Sequence, residues 1–175
     1  VAMNKPRGVV TSMSDERGRP CVGDMVADRP ERLFHVGRLD AETEGLLLLT
    51  NDGELTNRLM HPSHEVAKTY RARVDGAISK QAMRALGSGV DLDDGPIVCD
   101  SARVIQRLDD RSLVEVTLHS GRNRIVRRMF DAVGYPVLDL VRTSIGPISL
   151  GTLKPGEVDD VRGAPLRSLY TTVGL

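Results

Sequence analysis

Residues 33–50 read Leu33-Phe34-His35-Val36-Gly37-Arg38-Leu39-Asp40-Ala41-Glu42-Thr43-Glu44-Gly45-Leu46-Leu47-Leu48-Leu49-Thr50. Two apolar runs, Leu33 to Val36 and Gly45 to Thr50, enclose a polar turn from Gly37 to Glu44. The second run carries four consecutive leucines, the pattern of a strand buried on both faces. Asp40 is therefore expected in a loop between two core strands. A carboxylate anchored that way keeps one geometry, and the neighbouring Arg38 can hold it ionised, which is what a carboxylate nucleophile requires. On local chemistry alone, a loop aspartate capping a turn is the commoner role.

Working outward, Val1 to Met3 and Gly8 to Ser12 read as short strands around the turn from Asn4 to Gly8, because Pro6 and Gly8 punctuate the run. After the leucines, Asp52 is placed to cap a helix from Gly53 to Met60, which Pro62 stops. A strand from Val66 to Asp75 follows. In it Tyr70, Ala72 and Val74 alternate with Arg71 and Arg73, so the phenol shares the apolar face. Ser79 to Leu86 reads as a helix, and Ala102 to Leu108 with Leu113 to Leu118 as a hairpin. Asn123 to Val133 carries Ile125, Val126, Met129, Phe130 and Val133 at helical spacing. Val137 to Arg142 returns as a strand, Gly146-Pro147 turns, and the end is helical from Ala164. Many strands with hairpin connections and no regular βαβ alternation predict an α+β fold with a largely antiparallel sheet. Neither GxxxxGK[ST] nor GxGxxG occurs, so the usual phosphate-cradling glycine loops are absent.

A chain of 175 residues fits one domain or two tightly joined lobes, here drawn at 1–64 and 65–175 and joined by one sheet. With 24 Lys plus Arg against 24 Asp plus Glu, any nucleic-acid footprint must come from the placement of charge rather than its total. Cys21 and Cys99 lie in no CxxC pair, which predicts a reduced, cytoplasmic protein without a disulfide. The longest apolar run, Leu46 to Leu49, is far short of the ~20 residues of a membrane span. The chain enters an apolar segment directly from Val1, which reads as the start of a truncated piece.

Two further stretches can carry chemistry. A buried Tyr70 can stack on a flat base, although a tyrosine among apolar strand neighbours is more often core with its hydroxyl satisfied. Gly121-Arg122-Asn123-Arg124-Ile125-Val126-Arg127-Arg128-Met129 sets four arginines within seven residues at the opening of a helix. Guanidinium forks bind phosphate in a bidentate way, so this suits an RNA backbone; the alternative is a solvated face paired with acidic neighbours. His35, His61, His64 and His119 show no metal-ligand spacing, and no metal is expected.

Taken together, NKPRGVVTS, LFHVGRLDAETEGLLLLTNDGELTNRLMHPS, KTYRARVDG, SGRNRIVRRMFDAVGYPVLDLVR and LKPGE resemble the pseudouridine synthases of the RsuA and RluB type. These words fall in the family's order and reach to about Glu157. The resemblance implies the pseudouridine synthase fold, a long mixed, mostly antiparallel sheet in two lobes with flanking helices and a central RNA-binding cleft. It implies catalysis without metal or organic cofactor. By position, Asp40 matches the nucleophile, Tyr70 the base-stacking phenol and Arg127 the arginine paired with the aspartate. Arg38 matches a residue that helps hold the flipped nucleotide, and Leu138 an apolar contact to the uracil. Lys5, Arg122, Asn123, Arg124 and Arg128 complete the implied substrate-binding set. Ile125 departs from the pattern, since many relatives carry a polar residue there. Relatives also usually carry a small RNA-binding domain ahead of NKPRG, and the tail beyond Glu157 matches weakly.

The resemblance implies isomerisation of uridine in ribosomal RNA by a cytoplasmic monomer involved in bacterial ribosome biogenesis. The LMHPS and KTY wording is nearest to the large-subunit enzymes, which implies 23S rRNA. The other readings are the same reaction on 16S rRNA or tRNA, and a catalytically silent protein that binds rRNA during ribosome assembly. Retention of Asp40, Tyr70 and Arg127 together disfavours the last.

Overall fold

The computed structural model describes all residues, Val1–Leu175. The strands are β1 (Ala2–Lys5), β2 (Phe34–Val36), β3 (Glu44–Thr50), β4 (Lys68–Asp75), β5 (Val90–Leu92), β6 (Gly95–Ile97), β7 (Ser101–Arg107), β8 (Arg111–Leu118), β9 (Val137–Ile145), β10 (Ile148–Ser149) and β11 (Val158–Asp159). The helices are α1 (Val22–Met25), α2 (Gly53–Met60), α3 (Lys80–Ser88), α4 (Ile125–Ala132) and α5 (Gly163–Thr172), with a 3-10 turn at Pro62–His64. Nine of the strands form the main sheet, and β5 pairs with β6 alone, so the class is α+β. Two compact units result, Val1–Val66 with Arg142–Leu175, and Ala67–Val141.

In the first unit the strand order is β11-β1-β3-β9, with β2 also on β3 and β10 on β9. The leucines of β3 explain its place. Leu46 and Leu48 pack with Val36, Leu55, Leu59 and Leu169 on one face, and Leu47 and Leu49 with Met3, Val22 and Leu39 on the other. Each side chain buried in this way contributes about 1.5–3 kcal/mol. At the head of β3, Gly45 adopts φ +117°, and a Cβ there would fall 2.2 Å from the carbonyl oxygen of Arg142. Only glycine lets the two backbones approach so closely.

Asp52 caps α2 by accepting from the Leu55 amide at 3.1 Å, as the sequence predicts. Its other oxygen accepts from the Tyr170 hydroxyl at 2.6 Å, which ties α5 to the start of α2. Arg58, at the far end of α2, donates to the carbonyls of Val173 and Gly174 at 3.0 Å each, just beyond the end of α5.

In the second unit the order is β9-β4-β8-β7. β4 and β8 pair antiparallel from Lys68 opposite Leu118 to Asp75 opposite Arg111. Tyr70, Ala72 and Val74 face the helices with Val114, Val116 and Leu118, while Arg71 and Arg73 are exposed. On the outward face Glu115 accepts from Arg71 and Arg103, and Arg73 pairs with Asp139. The apolar stripe of α4, Ile125, Val126, Met129 and Phe130, closes the core.

Four expectations change. Gly8 to Ser12 forms no strand: Gly8 turns at φ +87° and only Val10 bridges to Cys21. The basic helix starts at Ile125 rather than Asn123, because Arg124 sits in the left-handed region at φ 50°. The β5–β6 hairpin is absent from the sequence reading, since its strands are three residues long and hold Gly95 and Pro96. The lobe boundary drawn after residue 64 lies close to Val66, but Arg142–Leu175 returns to the first unit through the second half of β9. No helix is long and apolar enough to cross a membrane.

Candidate active site

Asp40 lies in the turn between β2 and β3 and is partly buried. Its backbone is fixed on both sides. Before it, the Leu39 amide donates to Thr11 Oγ1 at 3.1 Å while the same hydroxyl donates to the Leu39 carbonyl at 2.7 Å. After it, the Ala41 carbonyl accepts from the Gly8 amide at 2.7 Å, and the Thr43 amide closes a turn on the Asp40 carbonyl at 3.0 Å. Gly37 begins the turn at φ +71°, and His35 Nδ1 meets its carbonyl at 2.8 Å. A carboxylate on backbone this fully bonded costs little further ordering when it meets a substrate.

Lys5 completes the anchorage. Its side chain, expected to bind substrate, is fully buried at 0% exposure, and Nζ donates to the carbonyls of Val9 at 2.7 Å, Pro6 at 2.8 Å and Ala41 at 3.3 Å. A lysine committed to three carbonyls binds the loop rather than presenting itself to RNA. Burial pulls its pKa down to about 8, against the opposing influence of Glu44, Asp40 and Glu42. The ammonium thus places a cation behind Asp40. Arg38, by contrast, is exposed. Arg142, 4% exposed, donates from Nε to the Leu46 carbonyl at 2.9 Å, a buried guanidinium which sequence reading did not single out.

In the second unit Tyr70 is 8% exposed within the apolar cluster that includes Val126, Met129 and Phe130. The inward phenol expected from alternation is present. Arg127 is half-buried on α4, one residue after Val126. Ile125 is buried in the same cluster, where it makes a core contact. Leu138 is 41% exposed on β9.

The remaining arginines are not an open cradle. Arg122 Nη1 donates to the Asp94 carboxylate at 2.9 Å and to the carbonyls of Asp94 and Gly95 at 3.0 and 3.2 Å, and Nη2 to Pro96 at 3.1 Å. Arg128 meets both Asp94 oxygens at 2.8 and 3.1 Å, and its Nε donates to the Asn123 carbonyl at 2.8 Å. Asn123 and Arg124 are exposed beside them. The partner comes from the β5–β6 turn, some thirty residues upstream, where a reading of local charge does not reach. No group of three or more His, Cys, Asp and Glu side chains is arranged to hold a metal.

The family model described as RNA pseudouridylate synthase matches residues 1–132, and the chain belongs to that family. An uncharacterized RNA pseudouridine synthase of Mycobacterium tuberculosis is 55% identical over all of this chain and 70% of its own length. The ribosomal large subunit pseudouridine synthase B of Bacillus subtilis is 42% identical over 90% of this chain and 65% of its own. A crystal structure of a pseudouridylate synthase superposes with a TM-score of 0.83 at 33% identity, covering 96% of this chain and 72% of that one. The fold and the reaction class, uridine to pseudouridine in RNA, follow from these likenesses.

Proposed function

We propose that this chain isomerises a uridine of 23S rRNA with Asp40 as its nucleophile. The supporting observation is the anchorage of the Asp40 turn by Lys5, Thr11 and Gly8, which holds the carboxylate in a fixed geometry. The large-subunit assignment rests on the name of the Bacillus subtilis relative. The reaction breaks the bond from N1 to C1′, turns the uracil, and joins C5 to C1′; the C5 proton leaves and N1 gains one, so nothing is oxidised or hydrolysed. A base within structured RNA must first be extruded, at a cost of a few kcal/mol that stacking and phosphate contacts offset.

In this reading Asp40 attacks C1′ or removes the C2′ proton, Tyr70 packs on the ring and assists loss of the C5 proton, and Arg127 is the third residue assigned to the reaction. Arg38 and Leu138 supply nucleotide and uracil contacts, and Asn123, Arg124 and Arg128 meet the RNA backbone.

Asp40→Asn preserves the turn's shape and removes the nucleophile. Pseudouridine formation on transcribed rRNA is expected to fall below detection while RNA binding stays within about twofold. Turnover at the wild-type rate would refute the assignment. The target is read by mapping pseudouridine in rRNA and tRNA from cells that lack the gene: loss of one 23S signal supports the proposal, and loss of a 16S or tRNA signal instead overturns it.

A further inference from the structure

We infer that Asp94 is a resident phosphate mimic, a specificity-determining residue whose carboxylate occupies the guanidinium fork that RNA must win. The inference rests on the RNA-binding role proposed above for the 121–128 segment. Arg128 engages Asp94 in the two-point geometry a guanidinium also offers to a phosphate, with both nitrogen to oxygen distances near 3 Å. Both groups face water, at 31% and 46% side-chain exposure, so an incoming phosphate oxygen reaches the fork without unfolding anything.

The two arginines divide the work. Arg122 is bonded to three backbone carbonyls of the β5–β6 turn as well as to the Asp94 carboxylate. It therefore keeps the turn in place if the carboxylate is drawn off. Arg128 has only one backbone tie, from Nε to Asn123, and its two terminal nitrogens are both spent on Asp94. It is the exchangeable partner. The hydrogen bond from Arg128 holds the Asp94 carboxyl below the usual range, so it stays a full anion at any physiological pH.

An RNA that offers a single loose phosphate must displace an anion already seated in two-point contact. An RNA aligned by other contacts displaces it with the cost shared. The carboxylate thereby suppresses non-specific binding more than binding of the proper target, a form of selectivity by repulsion. Displacement also leaves a free carboxylate that recaptures a cation, so this contact contributes less to the salt dependence than an empty fork would.

The test compares wild type, Asp94→Asn, Arg128→Ala and the double variant for binding to transcribed 23S rRNA and to poly(A) over a range of salt. Asparagine keeps an acceptor for the fork and removes the charge. Asp94→Asn is expected to tighten poly(A) binding about tenfold and 23S rRNA binding less, and to steepen the salt slope by about 0.7, one phosphate's worth on a single strand. In the Arg128→Ala background the same change should have no effect. Unchanged or weaker binding by Asp94→Asn, with an unaltered melting temperature, would overturn the inference and leave Asp94 a structural clasp. An effect that survives without Arg128 would overturn it too. A lowered melting temperature with weaker binding counts against it as well. If the wild type itself neither binds nor modifies RNA, the RNA reading fails first, and that result is distinct from the others.

Discussion

Lys5 carries a buried ammonium with three carbonyls in front of it and acidic side chains near by. With its pKa pulled down to about 8 from 10.5, the folded chain has released this proton over the interval in which the unfolded chain still holds it. Stability from this group therefore rises as pH goes from about 8 to about 10.5, and is lowest below 8, where the buried charge must be kept. Lys5→Met removes the titration and leaves the carbonyls of Pro6, Val9 and Ala41 without this donor. It should cost on the order of 3 kcal/mol near neutrality, and the gap to wild type should widen toward pH 10. Urea unfolding of both proteins at several pH values checks this. Parallel pH profiles would show that folding does not lower the pKa of Lys5. The sequence named Lys5 for the wrong reason: a lysine in a short motif reads as a substrate contact, and only the packing around β1 shows its end turned inward. The turn that holds Asp40 and the inward face that holds Tyr70 were legible because a turn between apolar runs and strand alternation fix them, whereas Arg127 was singled out only by the resemblance.

At the scale of elements, periodicity was a faithful guide wherever a run was long enough to have a period. The capped helix from Gly53 to Met60 and the inward face of β4 were read directly from spacing. Short elements escaped, because three residues of Val90–Leu92 or Gly95–Ile97 carry no pattern. Gly45 and Gly8 make a matched pair for testing close approach against backbone preference. Both have positive φ, but a Cβ at Gly8 meets nothing within 4 Å whereas one at Gly45 lies 2.2 Å from Arg142 backbone. Gly8→Ala should cost about 1–2 kcal/mol, the price of left-handed backbone alone. Gly45→Ala should cost about 4 kcal/mol or more, because β3 and β9 must separate. Thermal melts of the two variants give the comparison, and similar losses would mean that β3 gives way easily.

On the scale of the whole chain, equal numbers of basic and acidic residues mean that RNA affinity cannot come from net charge. It must come from where the arginines are. Arg124 is exposed in left-handed backbone at the start of α4, and Arg122 is bonded to the β5–β6 turn. Arg124→Ala should reduce the salt slope of rRNA binding by about 0.7, and Arg122→Ala should act mainly on stability. Filter binding across salt together with melting curves separates the two, and an unchanged slope for Arg124→Ala would remove it from the interface.

The sequence by itself determined the α+β class, the turn that carries Asp40, the strand that carries Tyr70 and the helix that carries Arg127, and its resemblance to a family, through five separated motifs in order, indicated the reaction. The elements are properties of local spacing, which a linear chain records. Only the tertiary structure decided that Lys5 faces inward, that Arg142–Leu175 packs with the first unit, and that Asp94 holds Arg122 and Arg128. Each of those depends on a partner far away along the chain, and a hydrogen bond between distant residues leaves no period in the sequence that makes it.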